Sequence, residues 1–263
     1  MLNYQFMQNA FIVGTLIAIL SGIIGVFVIA RNMTFLTHIL SETGFAGAAF
    51  GLFMGWNPLW GMVLFTLLSS IFIGQLSNST ERNDDSITAV SSLAIGSGIL
   101  FLFLANSNSS SATNILFGSI VGIDKKAVVN MIGLILVVIA LVSLIYRKLK
   151  FDSFDPIGAK SRHLPVALIA LFFQIALALS VSVSAQIIGS LLIFILLTLP
   201  AASAKNFAHN VKYMIGLAIS FSLAGVWLGL WLSYKTNWPV SFFISLIEFL
   251  IYFVGIIYQK RMN

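Results

Sequence analysis

Apolar runs of about 20 residues, each enough to cross about 30 Å of hydrocarbon as a helix, follow one another along almost the whole chain. Charged residues make up only 8% of the 263 residues, against about 25% in soluble domains. So few charges cannot cover a water-facing surface. In lipid, every backbone polar group must be bonded within the protein, which leaves helices or a closed barrel. Because the runs are continuous rather than alternating, they predict an all-α, polytopic transmembrane bundle.

The runs predict about nine transmembrane helices, with eight as the alternative count. Their ranges are roughly 10–30, 35–54, 57–76, 87–105, 127–146, 164–182, 185–203, 211–233 and 238–258. We expect residues 1–263 to form a single membrane domain with a polar loop at about 147–163 and an irregular loop at Asn106–Asn114. The first run lacks a basic start, so it is interpreted as a retained helix rather than a signal peptide.

The basic residues predict the orientation of the bundle. With the 147–163 loop in the cytoplasm, eleven Lys and Arg residues lie inside and three outside, which is a positive-inside bias. This places the N-terminus outside and the C-terminus inside, in a multi-pass protein of the cell membrane. The net charge of +6 is thereby explained by orientation in lipid and does not indicate nucleic acid. The inside set is Arg31, Arg82, Arg147, Lys148, Lys150, Lys160, Arg162, Lys205, Lys212, Lys260 and Arg261; the outside set is Lys125, Lys126 and Lys235.

Ionisable side chains inside the predicted spans are few, and in lipid such residues are costly and usually functional. His38 and Glu42 are four residues apart in the second span and so share one helix face. An imidazole and a carboxylate on one face can bind a divalent cation such as Zn, Mn or Fe. The alternative is a His–Glu hydrogen bond that holds helices together. Glu248, in the last span, is a further intramembrane polar candidate, either for a proton or ion or bonded to a neighbouring helix.

Several kinds of chemistry are absent from the sequence. The chain has no cysteine and therefore neither disulfides nor a thiolate metal site. It lacks the G-x-x-x-x-G-K-[ST] phosphate loop, and it has neither a Ser/His/Asp nor an H-E-x-x-H signature. We therefore predict no catalytic residues, no permanently bound cofactor and no enzyme activity.

Five segments resemble, in the same order, those of one family: the membrane permeases of ABC importers for zinc, manganese and iron. In that family an Asp is usually followed four residues later by a His in the second helix. Here His38 precedes Glu42, so the imidazole and the carboxylate are exchanged on the same face. The segments are GVFVIARNMTFLTHILSETGFAGAAFG, ERNDDSITAVSSLAIGSGIL, NILFGSIVGI, FDSFDPIGAKSRHLP and IIGSLLIFILLTLPAASAKNF.

The resemblance implies a permease that passes a divalent transition metal, its transported substrate, by alternating access. It implies His38 and Glu42 as metal ligands. It also implies a homodimer of permeases, a cytoplasmic ATP-binding subunit that hydrolyses ATP, and an extracytoplasmic metal-binding protein. The residues expected to dock on the ATP-binding subunit are Phe154, Asp155, Pro156, Ile157, Gly158 and Ala159. A proline is tolerated in the first turn of a helix, so Asp155-Pro156 can begin one.

Three other functions are compatible with the same residues. A secondary transporter driven by a proton or sodium gradient would use Glu248 and the His38–Glu42 pair as its relay. An ABC permease for a metal chelate would share the overall plan without needing that pair. In a scaffold protein without transport activity, the polar pairs would only hold helices together.

Overall fold

The computed structural model describes residues 5–76, 84–105, 114–118, 125–190 and 192–262. In these ranges the chain forms ten helices and a short helical turn at 114–117. The predicted loop at Asn106–Asn114 lies, except for its last residue, outside the described ranges. The helices are α1 (Gln5–Ala30), α2 (Thr34–Phe53), α3 (Pro58–Leu76), α4 (Asp84–Leu104), α5 (Lys125–Phe154), α6 (Pro156–Ser161), α7 (Val166–Ile188), α8 (Ile193–Lys205), α9 (Val211–Thr236) and α10 (Val240–Met262).

Five of these helices, α1, α5, α7, α9 and α10, are long and apolar enough to cross a membrane. Shorter apolar stretches lie in α3, α4 and α8. Large side chains such as Leu144 and Phe103 point outward, with Leu144 86% exposed, as a lipid-facing surface permits. The prediction of an all-helical multi-pass membrane protein is confirmed.

The helices form two groups that are joined by a central pair. Helices α3 and α4 pack against α2, whereas α1, α9 and α10 pack with one another through α9. Helices α7 and α8 lie between the groups and contact both α1 and α2. The polar helix α2 is thus enclosed largely by other helices, so its ionisable side chains need not face lipid.

The predicted fifth span, 127–146, ends too early. Helix α5 continues from Lys125 to Phe154, through the first half of the predicted 147–163 loop. Hydropathy marks where the apolar run stops, but a helix can continue into water when its residues are good helix formers, as Lys, Arg and Leu are. The non-helical part of this connection is therefore much shorter than predicted.

The predicted seventh span, 185–203, is wrong at its start. Helix α8 covers only Ile193–Lys205, or 13 residues, which is about 20 Å of helix against about 30 Å of hydrocarbon. The helix α7 ends at Ile188, and the next residue, Gly189, has φ +94°. Irregular backbone at membrane depth is tolerated where protein encloses it, and Ser190 is fully buried.

The backbone around Gly189 packs against the 114–118 segment. A side chain at Gly189 would collide with the Leu116 carbonyl oxygen. The Ser190 amide donates to the Ile115 carbonyl at 3.0 Å, and the Ser241 hydroxyl of α10 donates to the Phe117 carbonyl at 3.1 Å. Two of the five resembling segments, those containing LFG and IIGSLL, therefore meet in the fold.

The small residues of α2 are used for helix packing. A side chain at Gly47 would collide with the Gly61 carbonyl oxygen of α3, and the converse holds for Gly61. Gly51 likewise lies against Pro58 of α3. Small residues allow this close approach of two backbones. The glycine-rich face of α2 thus serves the α2–α3 contact.

Candidate metal site

His38 and Glu42 lie one turn apart on the same face of α2, as their spacing predicts. The Nδ1 atom of His38 is 3.7 Å from Oε1 of Glu42. The His38 side chain is 43% exposed and the Glu42 side chain 14%. The imidazole ring is therefore partly open, but its Nδ1 atom is buried and has no hydrogen-bond partner among the described residues. The carboxylate is largely enclosed.

Two neighbouring helices hold this pair in place. The Ser91 hydroxyl of α4 donates a hydrogen bond to Oε2 of Glu42. The Phe194 ring of α8 stacks on the His38 ring, with centroids 4.8 Å apart and planes 9° apart. Because each ligand candidate is held by a different helix, the geometry of the pair depends on how α2, α4 and α8 are arranged. A binding site held by packing and hydrogen bonds in this way is preorganised.

The separation of 3.7 Å between Nδ1 and Oε1 is too long for a hydrogen bond. The His–Glu hydrogen bond of the alternative interpretation is thus not formed. The hydrogen bond that does tie this face of α2 to a neighbouring helix is the one that the Ser91 hydroxyl of α4 donates to Glu42. Two ligand atoms about 2.1 Å from one tetrahedral or octahedral ion are roughly 3.0–3.4 Å apart. A small closure of the two side chains would let both atoms contact one cation.

The pair does not form a complete metal site within the described ranges. No group of three or more His, Cys, Asp and Glu side chains that could hold a metal occurs there. Further ligands for a bound ion would have to be water, backbone carbonyls or a hydroxyl such as that of Ser91. An incompletely coordinated ion can leave the site, which a transport pathway requires.

The predicted docking residues form the short helix α6 and its approach. Asp155 caps this helix by accepting a hydrogen bond from the Gly158 amide at 2.9 Å, and Pro156 occupies the first turn, as predicted. Ile157 is 81% exposed and Phe154 is also exposed, whereas Ala159 is buried. The segment therefore presents two apolar side chains away from the bundle while Ala159 anchors it.

The segment before α6 is tied to the end of α1. The Arg31 guanidinium lies 2.5 Å from the Asp152 carboxylate, and both side chains are largely buried. The guanidinium also lies over the Phe173 ring of α7 at 5.7 Å. Arg31 lies in the turn between α1 and α2, so one ion pair connects the end of α5, just before the docking segment, with the turn that leads into α2.

Glu248 lies away from the pair, on α10. It is fully buried, and its carboxylate lies against Gly225 of α9, where a side chain would collide with it. Neither carboxylate oxygen has a hydrogen-bond partner among the described residues. The structure therefore does not join Glu248 to His38 and Glu42 in one site, and glycine at position 225 provides the space that Glu248 occupies.

Sequence reasoning does not single out Ser91, Phe194 or Asp152. Each becomes part of a site through a contact with a residue distant in the chain. The sequence feature that could have drawn attention to them is their position, because all three lie within segments that resemble the permease family. That signal covers whole segments and does not distinguish Ser91 from its neighbour Ser92.

Comparisons with known proteins place nearly the whole chain in one family. The model of the ABC 3 transport family matches residues 3–259. The manganese transport system membrane protein MntC of Listeria monocytogenes is 29% identical over 262 residues, covering 99% of this chain and 93% of MntC. The manganese import system permease protein ScaB of Streptococcus parasanguinis is 32% identical over 254 residues, covering 96% of this chain and 90% of ScaB.

A solved structure shares the fold. A chain of the complex described as PsaBC from Streptococcus pneumoniae with Fab matches with a TM-score of 0.86 and 29% identity, covering 96% of this chain and 91% of that one. The sequence match and the fold match agree over nearly the full length. The chain therefore belongs to the ABC 3 transport family and is a multi-pass membrane permease, a transport component rather than an enzyme.

Proposed function

We propose that this permease carries a divalent transition metal, with manganese as the first candidate, into the cytoplasm by alternating access. The observation that carries the proposal is the pair of His38 and Glu42, with Nδ1 and Oε1 3.7 Å apart on one face of α2. An ion passing this point exchanges part of its water shell for one nitrogen and one oxygen ligand.

The names of the relatives favour manganese over other ions. The relatives MntC and ScaB, which match nearly the whole chain, are named as a manganese transport system membrane protein and a manganese import system permease protein. The ligand pair itself does not choose among the three ions, because its carboxylate oxygen suits manganese and its imidazole suits zinc and iron. Since zinc and iron accept the same pair of ligands, competition between metals decides the cargo.

The proposed machinery includes partners on both sides of the membrane. A cytoplasmic ATP-binding subunit docks on α6, where Ile157 and Phe154 expose apolar side chains, and it hydrolyses the ATP. An extracytoplasmic metal-binding protein delivers the ion to a dimer of permeases. Membership of an ABC family favours this arrangement over the gradient-driven transporter and over the scaffold.

The proposed orientation places α6 in the cytoplasm, the N-terminus outside and the C-terminus inside, with nine chain segments crossing or entering the bilayer. It is supported by the positive-inside bias of Lys and Arg. The chain has no natural cysteine, so single-cysteine variants report accessibility directly. With a membrane-impermeant maleimide on intact cells, Lys235→Cys should react and Ile157→Cys should react only after permeabilisation. The reverse pattern would overturn the orientation.

The function is tested by metal uptake in vesicles that contain the permease with its ATP-binding and metal-binding partners. Manganese, zinc and iron are offered together, with and without ATP. We expect ATP-dependent uptake of manganese, lost in His38→Ala and in Glu42→Ala. His209→Ala is the matched control, because His209 is exposed and lies just before α9.

Each outcome of the uptake experiment has a distinct meaning. Selective uptake of zinc or iron would retain the site and correct the cargo. Wild-type uptake in both site variants, expressed at normal levels, would overturn the site. Uptake only when the metal is offered as an organic chelate would favour the chelate permease, which has no need of a bare His–Glu pair.

A further inference from the structure

A groove of about 390 Å³ lies outside the site and outside the docking segment. It runs between α5 and α9, and α1 forms its floor. Leu20 and Ile24 of α1 lie at the bottom, while Ile139 of α5 and Ile215 of α9 form its walls. Apart from the Ser143 hydroxyl of α5, the lining away from Tyr146 and Lys212 is aliphatic, so the groove suits a hydrocarbon chain.

One end of the groove is polar. Lys212, in the first turn of α9, and Tyr146 of α5 line it there. The next two residues of α5, Arg147 and Lys148, are exposed. From Ile139 to Tyr146 the helix rises by about 10 Å. The groove thus leads from a basic mouth into an aliphatic interior along about two turns of α5.

The charge at this mouth is not balanced by acidic residues of the groove helices. Helices α1 and α9 contain no Asp or Glu, and α5 contains only Asp152. That carboxylate is already paired with Arg31. Within the described residues no carboxylate pairs with Lys212. The mouth therefore matches an anionic group.

We propose that this groove is a binding site for an anionic phospholipid. One acyl chain lies on Leu20 and Ile24, and the headgroup phosphate accepts hydrogen bonds from the Lys212 ammonium and the Tyr146 hydroxyl. Basic pockets between transmembrane helices on the cytoplasmic side are suited to anionic headgroups. In the proposed orientation the lipid belongs to the cytoplasmic leaflet. The site is independent of the identity of the transported metal.

The test uses the full-length permease in nanodiscs of phosphatidylcholine with a minor fraction of phosphatidylglycerol, followed by native mass spectrometry of the lipids that stay bound. For wild type we expect phosphatidylglycerol to be retained in preference to phosphatidylcholine. One Lys charge near a headgroup corresponds to about fivefold in affinity. Lys212→Gln should therefore lower retained phosphatidylglycerol about fivefold, whereas Lys235→Gln, at the opposite end of α9, should leave it unchanged.

A second variant separates the acyl chain from the headgroup. Ile215→Trp narrows the groove without removing Lys212, and we expect it to lower retention of phosphatidylglycerol as well. Equal retention of both lipids by wild type, or undiminished retention by Lys212→Gln, would overturn the proposal. So would efficient disulfide cross-linking of Ile215→Cys between two copies of the chain in membranes, because the groove would then be a protein interface.

Discussion

The Arg31 guanidinium and the Asp152 carboxylate, 121 residues apart in sequence, form a largely buried ion pair at 2.5 Å. Removing one partner of such a pair leaves an uncompensated buried charge, which costs roughly 3–5 kcal/mol. We expect Asp152→Ala to lower the free energy of unfolding by about 3 kcal/mol and to reduce ATP-dependent uptake. Denaturant titration of the purified permease in detergent measures the first effect.

Two variants sharpen this prediction. Arg162, at the same end of the molecule, has its guanidinium over the Phe151 ring at 5.1 Å. Arg162→Ala should have little effect on the free energy of unfolding. The reversed pair, Arg31→Asp with Asp152→Arg, should recover part of the lost stability. If Asp152→Ala proved as stable as Arg162→Ala, the ion pair would have no structural role.

The exchanged order of His38 and Glu42 predicts that both orders can bind a metal. The double variant His38→Asp/Glu42→His restores the order usual in the resembling family on the same helix face. We expect it to retain metal uptake, whereas His38→Asp alone loses the imidazole and Glu42→His alone loses the carboxylate. Glu42→His should bind manganese at least about tenfold more weakly, since even outer-sphere changes commonly cost 10–100-fold in metal affinity, whereas His38→Asp should keep manganese, which oxygen ligands suit, and lose affinity for zinc, which imidazole suits. Loss of manganese binding in the double variant equal to that in Glu42→His would show that the order matters.

Acidification should weaken metal binding through His38. A protonated imidazole cannot donate to a metal, so ligation by His38 makes metal affinity depend on pH. Binding to the purified permease, measured by equilibrium dialysis with manganese, should therefore fall as the pH is lowered. His209→Ala should show the same pH profile as wild type. A profile that stays flat for wild type would contradict ligation by His38.

Ser91 is predicted to position Glu42. A hydrogen bond to a charged group contributes about 1.5–3 kcal/mol, so Ser91→Ala should weaken metal binding by about tenfold or more while the protein stays folded. Ser92→Ala is a matched control, because the Ser92 hydroxyl donates to the Thr88 carbonyl of its own helix at 3.0 Å. Manganese titration of the two purified variants separates them. Identical affinities would remove Ser91 from the site.

Two glycines of α9 make a matched pair. A side chain at Gly225 would collide with the Glu248 carboxylate, whereas none of the described residues lies within 4 Å of a side chain added at Gly216. Overpacking a core costs about 1–3 kcal/mol, so Gly225→Ala should destabilise the permease while Gly216→Ala should not.

The Glu248 interaction is tested by combining variants. If the Glu248 carboxylate causes the collision, Glu248→Ala should cancel most of the loss in Gly225→Ala. Thermal unfolding of the three variants and the double variant, at equal detergent concentration, measures this coupling. Simple additivity of the two losses would contradict the contact.

Local sequence patterns were sufficient to predict most of the helices and the arrangement of neighbouring residues on them. Apolar runs predict the helices because lipid leaves the backbone no other partners. The spacing of His38 and Glu42 predicts their shared face, and Asp155-Pro156 predicts the start of α6. Each of these depends on residues within one or two helical turns of each other, so no knowledge of the remaining chain is needed.

The tertiary structure alone decided which distant residues meet. Ser91 reaches Glu42 across 49 residues of sequence, and Asp152 reaches Arg31 across 121. The break between α7 and α8 lies where the 114–118 backbone packs at Gly189, and the groove at Lys212 exists only because α5 and α9 flank α1. Periodicity and hydropathy describe one segment at a time, whereas each of these features requires two or three segments to be placed against one another.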